Sequence, residues 1–158
     1  MVQAKNPGTF DNVVVRRGAA LSAAALGPEQ VLVAPRACCV GYPDLLQTVG
    51  GYQHKLKLPY TPGQEACGVV TAVGSGGVRG LAVGDRVQCS TAGALASEVV
   101  VPAAGCWVIP DHYSHAEGAA FGVAYSTAYH CLVERANLRA GVAVGETVIL
   151  LTPPLLHY

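Results

Sequence analysis

The chain has 158 residues, enough for one domain, or for one domain with ragged ends. Ten basic residues balance ten acidic ones and only 13% of residues are charged, so the composition offers no footprint for nucleic acid or an anionic membrane. No apolar run approaches the ~20 residues that cross a bilayer, and so little charge on a 51% apolar chain predicts exposed apolar surface, which a partner subunit, as in a homodimer, or a further domain would cover.

The opening "MVQAKNPGTFDNVVVRRG" scatters its charges and has no compact apolar segment followed by small residues, which argues against a secretory signal. A cytoplasmic location is expected. Arg16, Arg17 and Ser22 beside an alanine-rich stretch leave a mitochondrial transit peptide as the alternative, with Asp11 against it. Residues 1–20 show no sustained period and read as a poorly defined arm. Within and just after it, "NVVVRR" has strand character and "GAALSAAALG" is a linker or a weak helix.

From Gly27 the texture changes. "GPEQVLVAPRACCV" reads as a turn followed by a strand, and "YPDLLQTVGGY" as a single helical turn with Pro43 at its first position and Gly50-Gly51 ending it. "PGQEACG" is a turn set by Pro62 and Gly63, with Glu65 bonded to nearby backbone or an arginine and Val69-Val70 entering the core. Short strands then follow at close intervals: "ACGVVTAVG", "GDRVQCS", and "LASEVVVPAAGCWVIP" divided at Pro102. Many short strands with Gly/Pro turns point to a small β barrel or rolled sheet.

After Pro110 the period lengthens. Ser114-His115-Ala116-Glu117 has the pattern of a capping box, and "AAFGVAYSTAYHCLVERANL" continues at helical spacing. Gly122 is expected to split this stretch into two helices, and Asn137 to end it in a left-handed conformation. Residues 147–151 of "GETVILLTPPLLHY" read as a buried strand, interrupted by Pro153-Pro154, with no neighbours left to flank it.

The six cysteines contain no Cys-x-x-Cys pair, and the adjacent Cys38-Cys39 cannot easily chelate one ion together. Buried, reduced thiols acting as small hydrophobes are expected, with Cys131 packed on its helix face. His112 and His130 read as surface or satisfied histidines.

The blocks "RACCVGYPDLLQTVGGYQ", "LPYTPGQEACGVVTAVG", "VGDRV", "FGVAYSTAYHCLVERANL" and "GETVIL", in this order and spacing, resemble the medium-chain dehydrogenase/reductases, and within them the zinc-free, zeta-crystallin-like quinone oxidoreductases. The resemblance covers residues 27–151. It implies a mainly β fold with α: a GroES-like catalytic domain over residues 21–144, a β barrel followed by one or two helices. Residues 145–158 would be a stub carrying the first Rossmann strand. Complete relatives continue into a Rossmann domain that binds NADPH. There a glycine-rich turn brings backbone amides to the pyrophosphate, whereas here no glycine follows Gly145 and two prolines remove amide donors. The chain alone is therefore expected to be inactive.

The resemblance also assigns candidate sites. Zinc ligands of zinc-dependent relatives fall on Gly41 and Gln64; glycine has no donor atom and glutamine is a poor ligand, so no zinc is expected. Gly41 also stands where the family commonly has an asparagine near the nicotinamide. Tyr42 and Tyr52 correspond to cleft-facing positions, where a phenol can donate to the oxygen of a small apolar carbonyl or quinone; either can equally be a packing residue. Asp44 falls at a position the family keeps acidic, as a site residue or as a helix-start anion. Thr127 matches a threonine that faces the nicotinamide, against a reading as a helix threonine bonded to its own backbone.

Overall fold

The structure, a computed structural model, describes residues 2–4, 13–76, 78 and 80–138. Two compact units divide the chain, Met1–Ser126 and Thr127–Tyr158. In the first unit, β1 (Val2–Ala4) and β2 (Val13–Val15) pair antiparallel, so the arm carries a small two-stranded sheet and "NVVVRR" does supply a strand. The alanine-rich stretch forms only a 3-10 turn, Ala23–Ala25.

Five further strands make one antiparallel sheet. They are β3 (Gln30–Cys38), β4 (Glu65–Val73), β5 (Arg86–Ser90), β6 (Val99–Pro102) and β7 (Cys106–Val108), in spatial order β6-β3-β4-β5-β7. The rolled sheet expected from the sequence is thus an antiparallel half-barrel. Register irregularities between Leu32 and Val33 and between Pro35 and Ala37 bend β3 against β4. Its concave side is filled by valines, with Val31, Val33, Val70, Val87 and Val101 wholly buried alongside Ala66 and Cys89. The β-branched residues that favour strands are therefore also the ones that fill the core.

β4 begins one residue earlier than its sequence suggested. Glu65 already pairs with Ser90, and only residues 62–64 make the turn. Helix α1 (Tyr42–Thr48) is two turns rather than one, with Pro43 at its second position, and Gly50 ends it at φ 72° as expected.

Helix α2 (His115–Tyr129) starts where the capping box was read. The Ser114 amide and hydroxyl both donate to Glu117 Oε2, at 2.8 and 2.7 Å, and the Glu117 amide donates back to Ser114 Oγ at 3.2 Å. Arg86 on β5 holds the approach to it, donating to the carbonyls of Asp111 (3.0 Å) and Tyr113. The expected break at Gly122 does not occur: α2 runs through it unbroken. Gly122 is a contact residue instead. A Cβ there would lie 2.2 Å from Gln88 Nε2 and 2.7 Å from Glu65 Oε2, and one at Gly118 would lie 2.7 Å from Cys67 Sγ. The two glycines, four apart on one helix face, let α2 approach the convex side of β4 and β5.

The second unit carries the end of α2, then a π-helical turn His130–Arg135 closed by Asn137 at φ 53°, with the Leu138 amide donating to the Leu132 carbonyl. Asn137 is therefore the left-handed terminator that the sequence predicted. The strand expected at residues 147–151, with the whole of residues 145–158, lies outside the described residues. Cys67, Cys89 and Cys106 are buried, but Cys131 is exposed rather than packed, because none of the residues of its π turn is buried. Burial pushes the Cys89 thiol up to about 12 and the Cys106 thiol to about 11, so both stay protonated hydrophobes.

Gly122→Ala tests the close approach. It is expected to lower stability by about 1–2 kcal/mol net, overpacking outweighing the ~1 kcal/mol gain in helix propensity. Urea unfolding measures it, and a stabilised variant would show that the facing side chains yield freely.

Candidate functional site

An open groove of about 420 Å³ lies where the end of α1, the lip at residues 61–64 and the loop at residues 90–93 meet. Tyr52, His54, Gln47, Gln64 and Thr91 supply side chains to it. Its floor is laced by backbone hydrogen bonds. The amides of Thr91, Gly93 and Leu95 donate to the carbonyls of Gln64, Gly63 and Pro62, at 2.9, 2.9 and 3.0 Å. Gly63 has φ 103°, and a Cβ there would meet the Leu95 amide nitrogen at 2.7 Å, so only glycine fits this turn.

Asp44 locks the lip to the helix. Its carboxylate is buried; Oδ2 accepts from the Gly41 amide at 2.9 Å and Oδ1 from the Gly63 amide at 3.1 Å. The first bond caps α1 and the second crosses 19 residues of sequence to the groove floor. Asp44 thus makes the helix-start contact anticipated for it, and lies beneath the groove rather than among its walls.

The two tyrosines part company. Tyr52 is half-buried in the groove wall, its ring 6.0 Å from the His54 ring at an interplanar angle of 56°. Tyr42, the first residue of α1, is 70% exposed and does not line the groove. Thr127 lies exposed near the end of α2, in the second unit. His112 is exposed and meets the Tyr113 ring edge-on at 4.9 Å, and His130 is exposed.

Of the positions where zinc-dependent relatives hold metal, Gly41 gives only its amide, to Asp44, and Gln64 lines the groove as a neutral amide. Nearby, Cys39 is held protonated. Burial raises its pKa first, then a hydrogen bond to Glu65 and the charges of Glu65 and Asp44. The thiolate is the metal-binding form, so this environment opposes ligation. Among the described residues, no three His, Cys, Asp or Glu side chains are grouped to hold a metal ion. Glu65, as expected, bonds to backbone: its Oε2 accepts from the Val123 amide at 2.7 Å.

Sequence reasoning did not single out His54, Thr61 or the loop at residues 90–93 as lining the groove. A second unanticipated contact lies under α2, where Cys67 Sγ and His115 Nδ1 are 3.5 Å apart.

Neither described helix start is open to a phosphate. The first turn of α1 carries the Asp44 carboxylate and that of α2 the Glu117 carboxylate, each bonded to amides that an anion would use. Among the described residues, then, these helix starts do not fit a dinucleotide's pyrophosphate. No helix is long and apolar enough to cross a membrane, again among the described residues.

A family model described as "Alcohol dehydrogenase GroES-like domain" matches residues 27–111. The chain is 42% identical over 124 residues to "Quinone oxidoreductase-like protein 2 homolog" of Nematostella vectensis, covering 77% of this chain and 34% of that protein. Among solved structures, the human synaptic vesicle membrane protein VAT-1 homolog-like protein superposes with a TM-score of 0.81 at 32% identity, over 87% of this chain and 44% of that one. The Escherichia coli quinone oxidoreductase complexed with NADPH gives a TM-score of 0.71 at 26% identity, over 83% and 39%. The chain spans about a third of the length of the curated relatives it matches.

Two outcomes follow from this geometry. Asp44→Ala strands the Gly41 and Gly63 amides and is expected to cost about 2–4 kcal/mol in unfolding free energy, with Asp44→Asn losing less; an unaffected Ala variant would deny the lock. His115 has its pKa lowered from 6.5 by burial, then by Arg86 and Arg36. The unfolded chain therefore binds that proton more readily, so the contribution of neutral His115 is complete above 6.5 and is lost as pH falls below it. The unfolding midpoint should drop on acidification through that window, and His115→Gln should flatten this part of the profile. An equal slope in the variant would refute the assignment.

Proposed function

The chain belongs to the alcohol dehydrogenase GroES-like domain family of the medium-chain dehydrogenase/reductases, with quinone oxidoreductase-like and VAT-1 homologues among its relatives, and from that premise we propose that it is the substrate-side portion of an NADPH-dependent quinone or enone reductase. The observation that carries this reading is the groove: a phenol, an imidazole and neutral amides around a rigid, backbone-laced floor. Such a surface suits an uncharged carbonyl compound whose oxygen needs hydrogen-bond donors as it gains charge. Tyr52 is the donor proposed for that oxygen. Tyr42 and Asp44 act at a distance, Tyr42 from the exposed start of α1 and Asp44 by holding the lip. Thr127 is the residue proposed to face the nicotinamide.

Hydride chemistry belongs to the cofactor, and a protein must hold its phosphates to use it. Carboxylates occupy both described helix starts, and "LTPPLLHY" lacks the glycines of a phosphate-binding turn. We therefore propose that these 158 residues alone bind acceptor without turning it over, and act at most as a binding module. The purified chain is expected to show no quinone-dependent NADPH oxidation, while a quinone shifts the backbone amide resonances of Tyr52, Gln64 and Thr91. Saturable NADPH oxidation would overturn the inactivity, and a quinone that leaves those amides unmoved would overturn the groove assignment.

A further inference from the structure

We infer that His54 is the proton donor of this groove: in its imidazolium form it pairs with, and protonates, an oxygen that carries negative charge on the bound ligand. The inference rests on the groove being the substrate side of the site, and adds to it a residue that neither motif nor resemblance singled out.

The argument runs by elimination over the walls. Helix α1 contributes Gln47, the lip contributes Thr61, Gly63 and Gln64, and the loop contributes Ser90, Thr91, Ala92 and Gly93, none of them a proton source near neutrality. The remaining segment brings Tyr52, His54 and Leu56. Among the described residues, no Asp, Glu, Lys or Arg lines the groove. On the same segment, the Lys55 ammonium is turned to the Gly50 carbonyl, and Lys57 is exposed and not part of the lining. The two carboxylates beneath, Asp44 and Glu65, are occupied by backbone amides. An oxyanion formed here would therefore meet neutral dipoles and one group able to carry a positive charge. Imidazole is also the side chain that takes up and releases a proton between about pH 5 and 8.

Position favours the same role. His54 is exposed, so it can be recharged from solvent, while its ring neighbours the half-buried Tyr52 ring at 6.0 Å. In the step, the imidazolium N–H bond breaks, an O–H bond forms on the ligand, and the pair that held the proton stays on nitrogen. The anionic ligand becomes neutral, the cationic His54 becomes neutral, and water restores the imidazolium. Gln64, a neutral amide where zinc-dependent relatives place a metal ligand, has no charge to offer that oxygen, which leaves His54 as its counter-charge.

The test needs no turnover. Binding of 2,4-dinitrophenolate, chosen because it stays ionised, is followed on the whole chain by amide shifts, with the His54 ring titrated by NMR with and without ligand. His54 is expected to titrate about one pH unit higher when the phenolate is bound, and by linkage the phenolate to bind about tenfold tighter to the imidazolium form. His54→Gln should abolish that pH dependence while keeping the unfolding midpoint, since the side chain is exposed. Shifts at Gln64 and Thr91 with an unmoved His54 titration would overturn this inference and leave the groove assignment standing. No shift at those amides with either the phenolate or a neutral quinone would overturn both. Tyr52→Phe serves as the second variant: the His54 dependence should survive it, and its loss would move the role to the phenol.

Discussion

The close approach of α2 to the convex side of β4 and β5 is the constraint on which the rest of the first unit depends. A helix packed on a sheet through ordinary side chains stands off by the width of those side chains. Here Gly118 sits over Cys67, and Gly122 over Glu65 and Gln88, so helix backbone meets sheet side chains directly. Glu65 can then reach the Val123 amide at 2.7 Å, and His115 the Cys67 thiol at 3.5 Å. Polar residues on this side of the sheet need backbone partners, because burying them unpaired costs more than the packing returns. The glycines supply the proximity that makes such pairing possible. Gln88 Nε2 remains buried without a partner, which marks the limit of the arrangement.

Glu65 connects this packing to the groove. Its side chain is committed to α2, while its backbone carbonyl accepts from the Cys39 amide at 3.3 Å, at the end of β3. One residue before it, Gln64 already faces the groove, and one before that Gly63 is fixed by Asp44. Three consecutive residues thus serve three directions: the helix, the groove and the lip lock. Glu65 opens β4, while Gln64 and Gly63 belong to the turn before it, so the division arises where the turn passes into the strand. Loss of the Asp44 bonds would free both the lip and the start of α1, so the groove's rigidity and the stability of the fold are coupled through this one carboxylate.

Much of the fold was legible because local chemistry decided it. The Ser114–Glu117 box, the Asn137 terminator, the Gly50 stop and the division at Pro102 each follow from one residue type meeting one backbone demand. Gly122 was misread for the same reason: local propensity makes glycine a helix breaker, and only the facing Glu65 and Gln88 reveal it as a contact. The four-residue spacing from Gly118 was the available signal. The groove was harder, since its walls come from four separated segments that only the fold brings together. Tyr52 and Tyr42 look alike in sequence, yet one follows α1 into the groove and the other begins α1 facing outward.

That no carboxylate or lysine lines the groove among the described residues has a further consequence for selectivity. An anionic ligand is offset against desolvation by a protonated His54 alone among the described lining residues, whereas an uncharged carbonyl compound loses little on entry. Discrimination then falls to the moment when charge develops on the ligand, and preorganised donors act most strongly at that point. Both buried carboxylates near the groove accept from backbone amides, and neither is among the described residues that line the cleft. Had either been free, an oxyanion in the groove would face repulsion, and the amide and phenol donors would work against it. Among the described residues, acidic side chains thus stay close to the site for structure, while neutral donors and one imidazole line the cleft.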